Sequence, residues 1–211
     1  NPLTNYNVVA FDQNLPNNSF VSLINLNTMR SGNVYDANVT GVVYNLKNKA
    51  QNWSVNGKTA LSQQYFTETD NIFGHTFNID VNRISGNWTG GISYNEESDT
   101  YDINDLGFLL NNNERTANAN IRYNYYEPFG IFRRGSGGLY TYYSRLYQPN
   151  AFADFGFGGD FFLVTMENFG MGVDLEVSPI RGYNFFEPRT SDFSRYYRNP
   201  KYFFVSAFVS S

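Results

Sequence analysis

Two carboxylates two positions apart, Asp174 and Glu176, are the residues best spaced for acid–base chemistry. In an extended strand such side chains share a face at a separation of about 7 Å. Glycoside hydrolases hold their two carboxylates at comparable distances across a cleft. Nothing around this pair in the sequence indicates a cleft, so we predict no catalytic residue. A glycosidase remains a minor alternative.

His75 is the single histidine, and the chain has no cysteine. A zinc site or a general base would need a second ligand or a poised partner near it, and no such spacing is present. We therefore expect His75 to have a structural role at the edge of a loop. Neither a metal site nor a cofactor is predicted.

An acidic stretch provides the first choice for an ion site, at Asp99, Asp102 and Asp105. Closely spaced carboxylates suit a hard cation such as calcium. The spacing does not match an EF-hand, however, and Asp and Asn also stabilise turns through their own side chains. A solvated loop with such turns is the favoured interpretation, and ion binding is the alternative.

The charge balance argues against nucleic-acid partners. The formal net charge is −4, although several arginines lie in or beside turns and loops that are rich in aromatic residues. A phosphate-backbone partner requires a basic surface. Contacts with anionic lipid or sugar, or ordinary ion pairs, suit these arginines better.

Period-2 alternation is the strongest structural signal, and it predicts strands along nearly the whole chain. Phe77, Ile79 and Val81 alternate with Asn78 and Asp80. The same alternation recurs around residues 35–43, 53–64, 116–125 and 169–178. We predict ten or eleven strands, many reaching the about 9–11 residues that cross a bilayer when tilted.

Turn residues separate these runs, and the connections differ in length. Short breakers include residues 14–18, 85–87 and 127–130, whereas polar connections near 67–72, 96–105 and 179–200 are longer. Short turns at one end and longer loops at the other are typical of outer-membrane barrels.

Composition favours lipid around the apolar side chains. Aromatic residues make up 18% of the chain but charged residues only 16%. A soluble domain this rich in Phe and Tyr normally hides them behind a charged shell. We predict an all-β fold, an antiparallel transmembrane β-barrel of which residues 1–211 are one segment, with flanking strands missing. Polar residues expected to line its lumen are Asp36, Lys58, Asp80, Arg122, Asp174 and Glu176.

Three stretches resemble a known family. They are residues 35–41, the run 99–109 containing Asp105-Leu106-Gly107, and Phe185-Phe186-Glu187-Pro188-Arg189 with the residues that follow. They are similar to large Gram-negative outer-membrane proteins in which a module like family-nine carbohydrate-binding domains precedes a barrel of unassigned function. The resemblance implies location in the bacterial outer membrane and a link to polysaccharide handling, and it implies no catalytic residue.

These patterns predict a passive role as channel, receptor-like platform or scaffold. Expected partners are outer-membrane lipid, other envelope proteins and a saccharide ligand. One alternative is a structural subunit of a larger envelope complex. Another is a soluble β-sandwich that binds sugar or hydrolyses it, with the aromatic side chains packed between two sheets.

Overall fold

The protein is built from β-strands, as seen in a computed structural model that describes residues 3–190 and 192–211. Eleven strands form one sheet, and two short strands form a second. Within the described residues there is no helix long and apolar enough to cross a membrane. The strands are β1 (Thr4–Leu15), β2 (Ser19–Arg30), β3 (Asp36–Lys47), β4 (Trp53–Tyr65), β5 (Ile72–Arg83), β6 (Trp88–Glu97), β7 (Glu114–Tyr125), β8 (Phe132–Leu146), β9 (Phe152–Thr165), β10 (Gly170–Ser178), β11 (Tyr183–Asn184), β12 (Tyr197–Arg198) and β13 (Tyr202–Ser210).

The large sheet is an antiparallel meander. Each strand from β1 to β10 pairs with the next one in the chain, and β13 pairs with β10 after the small β11–β12 hairpin. The predicted all-β antiparallel class and the number of long strands are confirmed. In the described part of the chain, β1 and β13 are the edge strands, and the sheet is not closed into a barrel.

Connections of different length lie at opposite ends of the sheet. One end, the turn end, carries the segments 16–18, 48–52, 84–87, 126–131 and 166–169. The other end, the loop end, carries both long connections, 98–113 and 179–201. Asn17 and Asn18 both adopt positive φ in the first turn, as tight hairpin turns require. The segregation of long connections to one end agrees with the sequence pattern.

The register gives the sheet two different faces, because residues directly opposite each other in neighbouring strands point to the same side. What we call the apolar face carries Val55, Phe77, Ile79, Val81, Ile92, Ala117, Ala119, Ile121, Leu139, Phe157, Phe161, Leu175, Val177 and Val205. The polar face carries Ser54, Asn56, Lys58, Asn78, Asp80, Ser93, Asn95, Asn118, Asn120, Arg122, Tyr140, Asp160, Asp174 and Glu176.

The alternation changes side between β3 and β4. Ala37, Val39 and Val43 pair with Gln64, Ser62 and Lys58. The apolar row of β3 therefore lies on the polar face, not with the apolar rows of the later strands as the sequence pattern indicates. A shift of one residue in register exchanges the faces of a strand, and alternation within one strand contains no information on that register.

Candidate functional site

Five of the six residues predicted to line a lumen lie together on the polar face: Lys58, Asp80, Arg122, Asp174 and Glu176. Asp36 does not join them. It begins β3, pairs with Tyr65 on the opposite side of the sheet, and accepts a hydrogen bond from the backbone N of Arg30 at 2.7 Å. The structure thus gives Asp36 a role at the β2–β3 turn.

An ion pair crosses the middle of the polar face. Arg122 of β7 contacts Asp160 of β9 and also donates from Nη1 to Ser136 Oγ at 3.2 Å. Gly138 of β8 lies between them, since a Cβ there would lie 3.1 Å from Oδ1 of Asp160. Both side chains keep partial contact with solvent, with 39% and 24% of their surface exposed, so the pair is only partly desolvated.

Glu176 is engaged by tyrosines and not by a second carboxylate. Its Oε1 accepts hydrogen bonds from the hydroxyls of Tyr202 and Tyr142, the latter at 3.4 Å. Asp174 lies two residues away on the same face with its side chain exposed. The contacts of Glu176 are thus with two tyrosine hydroxyls, which fix the position of its side chain on the polar face.

The 98–113 loop folds back over the polar face near β4 and β5. Tyr101 is only 6% exposed, and its backbone crosses directly above Gly74, where a Cβ would overlap the Cα of Tyr101. Gln64 donates to Asp102 at 3.1 Å, and Ser62 Oγ accepts from the backbone N of Asp102 at 3.1 Å. The loop is therefore fixed to the sheet by backbone contact and hydrogen bonds.

A second contact anchors the far side of this loop to the β2–β3 end. Asp105 pairs with Arg30 and accepts a hydrogen bond from the Tyr35 hydroxyl at 3.1 Å. Burial, and then the charge of Asp105, raise the pKa of Tyr35. The Arg30 guanidinium also stacks on the Tyr35 ring, 4.6 Å from its centroid. This cluster ties the loop to the end of β2 and to the β2–β3 turn.

The three aspartates proposed for ion binding do not converge. Asp99 is exposed, Asp105 contacts Arg30, and Asp102 accepts from both the backbone N and the Nδ2 of Asn104 at 2.8 Å. The Asp102–Asn104 contact is a local turn of the kind that the favoured interpretation describes. Among the described residues, no three His, Cys, Asp or Glu side chains are grouped to hold a metal ion.

A cavity of about 850 Å³ lies between the two long connections at the loop end. It is lined by Tyr101, Asp102, Asn111, Phe185, Phe186, Glu187, Arg189 and Phe193 among others. Sequence reasoning did not identify this cavity, because it forms only when the 98–113 and 179–201 connections meet. The sequence of the Phe-Phe-Glu-Pro-Arg stretch indicates only a resemblance to a family, because its role in this cavity depends on the other connection.

His75 lies on the apolar face near the loop end. Its Nε2 is 2.9 Å from Oε1 of Glu96, and its ring contacts that of Tyr147 edge-on. Glu96 also accepts hydrogen bonds from Arg115 at 2.7 Å and Tyr94 at 2.6 Å. The histidine is one member of a satisfied polar cluster beside a loop, as the sequence predicts.

Alkaline pH is expected to loosen the 98–113 loop through Tyr101. Burial, and then the charge of Glu97, raise the pKa of Tyr101 from 10.0 to about 12. Below pH 10 the phenol is neutral in both folded and unfolded states. Between pH 10 and 12 the unfolded chain loses this proton first, so the free energy of unfolding falls as pH rises.

The measurement compares wild type with Tyr101→Phe in urea titrations from pH 9 to 12. The other tyrosines ionise in both proteins, so the difference between the two curves isolates Tyr101. We expect the wild type to lose stability relative to the variant across this window. If the free energy of unfolding of the two proteins changes with pH in parallel, the Tyr101 phenol is not buried between the loop and the sheet.

These features define an all-β protein class: one wide antiparallel sheet with a polar and an apolar face, overlain by long loops at one end. The chain belongs to the family described as Domain of unknown function (DUF5916), whose model matches residues 1–211. No curated protein and no solved structure gives a significant match. The link to proteins with a carbohydrate-binding module stays a prediction.

Proposed function

We propose that this chain forms part of an integral outer-membrane β-barrel, with its apolar face against lipid and its polar face lining the interior. The observation that carries the proposal is that the apolar face is uncovered. Ile92, Leu139 and Phe161 lie in the middle of their strands yet are 63%, 66% and 52% exposed. No second layer of the described chain packs against them.

The extent of this face favours lipid over water as its solvent. Soluble monomers rarely expose continuous apolar patches above a few hundred Å², whereas this face runs across β4 to β10. Strands of 9 to 15 residues in the large sheet match the about 9–11 that a tilted membrane strand needs. At the turn end, the rings of Trp88 and Tyr123 contact each other with their centroids 4.8 Å apart, as aromatic residues of a barrel's girdle would.

The directions of the two edge strands, β1 and β13, limit how the sheet could close into a barrel. Strands alternate in direction across the sheet, so β1 and β13, first and eleventh in order, run the same way. Direct pairing of these two edges would be parallel. Closure with antiparallel pairs throughout, as in most outer-membrane barrels, requires an odd number of further strands. We propose that such strands complete the wall.

The proposed role is passive: a channel, or a receptor-like platform whose mouth is shaped by the loops. Ion pairs and carboxylates on the polar face would set the electrostatic field that solutes meet inside the barrel. The 98–113 loop would narrow the mouth of the barrel beside β4 and β5. The cavity between the two long connections, with exposed polar Asn111, Glu187 and Arg189 beside phenylalanines, has the mixed chemistry of a saccharide site. A link to polysaccharide handling is proposed on that ground.

Two other functions are distinguished by simple observations. A structural subunit of an envelope complex would co-purify with stoichiometric partners and give no ion current in planar bilayers. A soluble sugar-binding module or glycosidase would partition into water without detergent. Glycosidase activity would in addition be lost in Asp174→Asn or Glu176→Gln.

The test of the membrane proposal is heat-modifiable migration of the detergent-purified protein. Barrels keep their backbone hydrogen bonds satisfied inside the sheet, and we expect the folded form to resist mild SDS and migrate differently from the boiled form. The protein should also partition into the detergent phase. Monodisperse behaviour in plain buffer would contradict the proposal.

A further inference from the structure

An open groove of about 900 Å³ crosses the apolar face between β4 and β9. Its walls are Trp53, Val81, Trp88, Ile92, Leu139 and Phe157. Gly90 and Ala119 of β6 and β7 also line it. Gly90 has a φ of +147°, and a Cβ there would overlap the carbonyl oxygen of Asn120. The backbone thus excludes a side chain at Gly90.

Arg83 is the charged residue among the groove's lining side chains. It lies at the turn end of β5, directly opposite Trp53 on one side and Gly90 on the other. Its guanidinium lies beside the 84–87 turn, since a Cβ on Gly86 would be 3.5 Å from Nη2. In the described part of the chain it has neither an ion pair nor a side-chain hydrogen bond.

An apolar groove with one free guanidinium at its end matches the chemistry of an anionic phospholipid. Acyl chains fill apolar grooves, and an arginine binds phosphate through paired N–H donors. Trp53 and Trp88 flank Arg83 at the level where amphipathic rings meet headgroups in a membrane. A soluble phosphate would gain nothing from the apolar walls.

We propose that this groove holds one acyl chain of an anionic phospholipid and that Arg83 binds its phosphate. The inference rests on the proposed function, because it requires the apolar face to lie in lipid. It goes further in assigning a preferred lipid class and a position at the turn end of the sheet. Charge complementarity at Arg83 distinguishes this groove from the rest of the apolar face.

The protein carries its own probe, because its two tryptophans, Trp53 and Trp88, both line the groove. The full chain is reconstituted in phosphatidylcholine bilayers containing a minor fraction of either brominated phosphatidylglycerol or brominated phosphatidylcholine. Bromine on an acyl chain quenches a tryptophan in contact with it. We expect the quenching to show that brominated phosphatidylglycerol binds roughly fivefold more tightly than brominated phosphatidylcholine. A factor of this size is the effect of one favourable contact with a basic side chain.

Three variants locate the effect. Arg83→Gln should bring the ratio of quenching by the two lipids close to one. The matched control Arg195→Gln, exposed in the 179–201 connection and outside the lining of the cavity there, should leave the preference intact. Ala119→Phe fills the groove and should lower the preference with Arg83 still present. A large excess of inorganic phosphate should not compete.

The outcomes separate this proposal from the membrane proposal. Equal quenching by the two lipids in the wild type, or an unchanged ratio in Arg83→Gln, would overturn the lipid site while leaving the sheet in the bilayer. Competition by inorganic phosphate would identify a free-anion site instead and also overturn it. Failure of both brominated lipids to quench would remove the proposed function together with the site.

Discussion

Replacing Ile92 by Arg is expected to prevent folding of the sheet into bilayers. Ile92 lies in the middle of β6 on the apolar face and is 63% exposed. In water, a change at so exposed a position alters stability by only about 0.5 kcal/mol. On the lipid side of a barrel, an arginine near the bilayer midplane costs roughly 2–4 kcal/mol. The same substitution therefore has different consequences in the two settings.

The matched control is Asn120→Arg. Asn120 is also exposed, lies in the neighbouring strand β7, and points to the polar face. We expect it to fold as the wild type does, because an added cation there would be solvated. Folding from urea into bilayers is measured by the unboiled band on gels and by tryptophan fluorescence. Equal folding of both variants would show that the apolar face is not in lipid.

Much of the sheet could be predicted because its signals are local. Alternation such as Phe77-Asn78-Ile79-Asp80-Val81 requires only that neighbouring side chains point to opposite sides. Asn17 and Asn18 mark a turn through their own backbone preferences. Strand number, strand length and the end carrying the long connections followed from these signals, since each depends on residues close in sequence.

The relation between strands could not be read in the same way. Ala37, Val39 and Val43 alternate as cleanly as the later strands do, yet β3 pairs with β4 so that they lie beside Ser62 and Lys58. The apolar side chains of β3 are covered there by a segment far along the chain. Tyr101 and Val39 line one cavity together with Ile24 and Leu26. The apolar row of β3 thus lies on the polar face where the 98–113 loop covers it.

The contacts within the candidate site could not be predicted from the sequence either. Lys58, Asp80, Arg122, Asp174 and Glu176 share a face, as alternation indicates, but their partners do not follow from spacing. The contacts of Asp160 with Arg122 and of Tyr202 with Glu176 join strands far apart in sequence. Such pairings depend on the register of several hairpins in succession, which local preferences do not determine.

Replacing Gly74 by Ala is expected to release the 98–113 loop from the polar face. A Cβ at Gly74 would overlap the Cα of Tyr101, a backbone atom that no change of rotamer can move aside. Overpacking of this kind costs about 1–3 kcal/mol. Hydrogen bonds also hold the loop here: Thr100 Oγ1 donates to Phe73 O at 2.6 Å, Ser98 Oγ accepts from the backbone N of His75 at 2.9 Å, and Asp102 is bonded to Ser62 and Gln64 of β4. The backbone overlap at Gly74 cannot be relieved without moving the Tyr101 segment, so we expect this segment to lift away while the sheet stays folded.

Hydrogen exchange of residues 98–113, followed by mass spectrometry, measures this release. The backbone N of Tyr101 donates to Ser98 O at 3.1 Å and that of Asn113 to the same oxygen at 3.3 Å, so both amides should lose protection in Gly74→Ala. Gly137→Ala is the control, because a Cβ there meets Phe161 at an ordinary 3.4 Å. If the loop in Gly74→Ala exchanges no faster than in the control, contact at Gly74 is not what positions the loop. If exchange rises throughout β4 and β5 as well, the loop is part of the fold of the sheet and not a separate cover over its polar face.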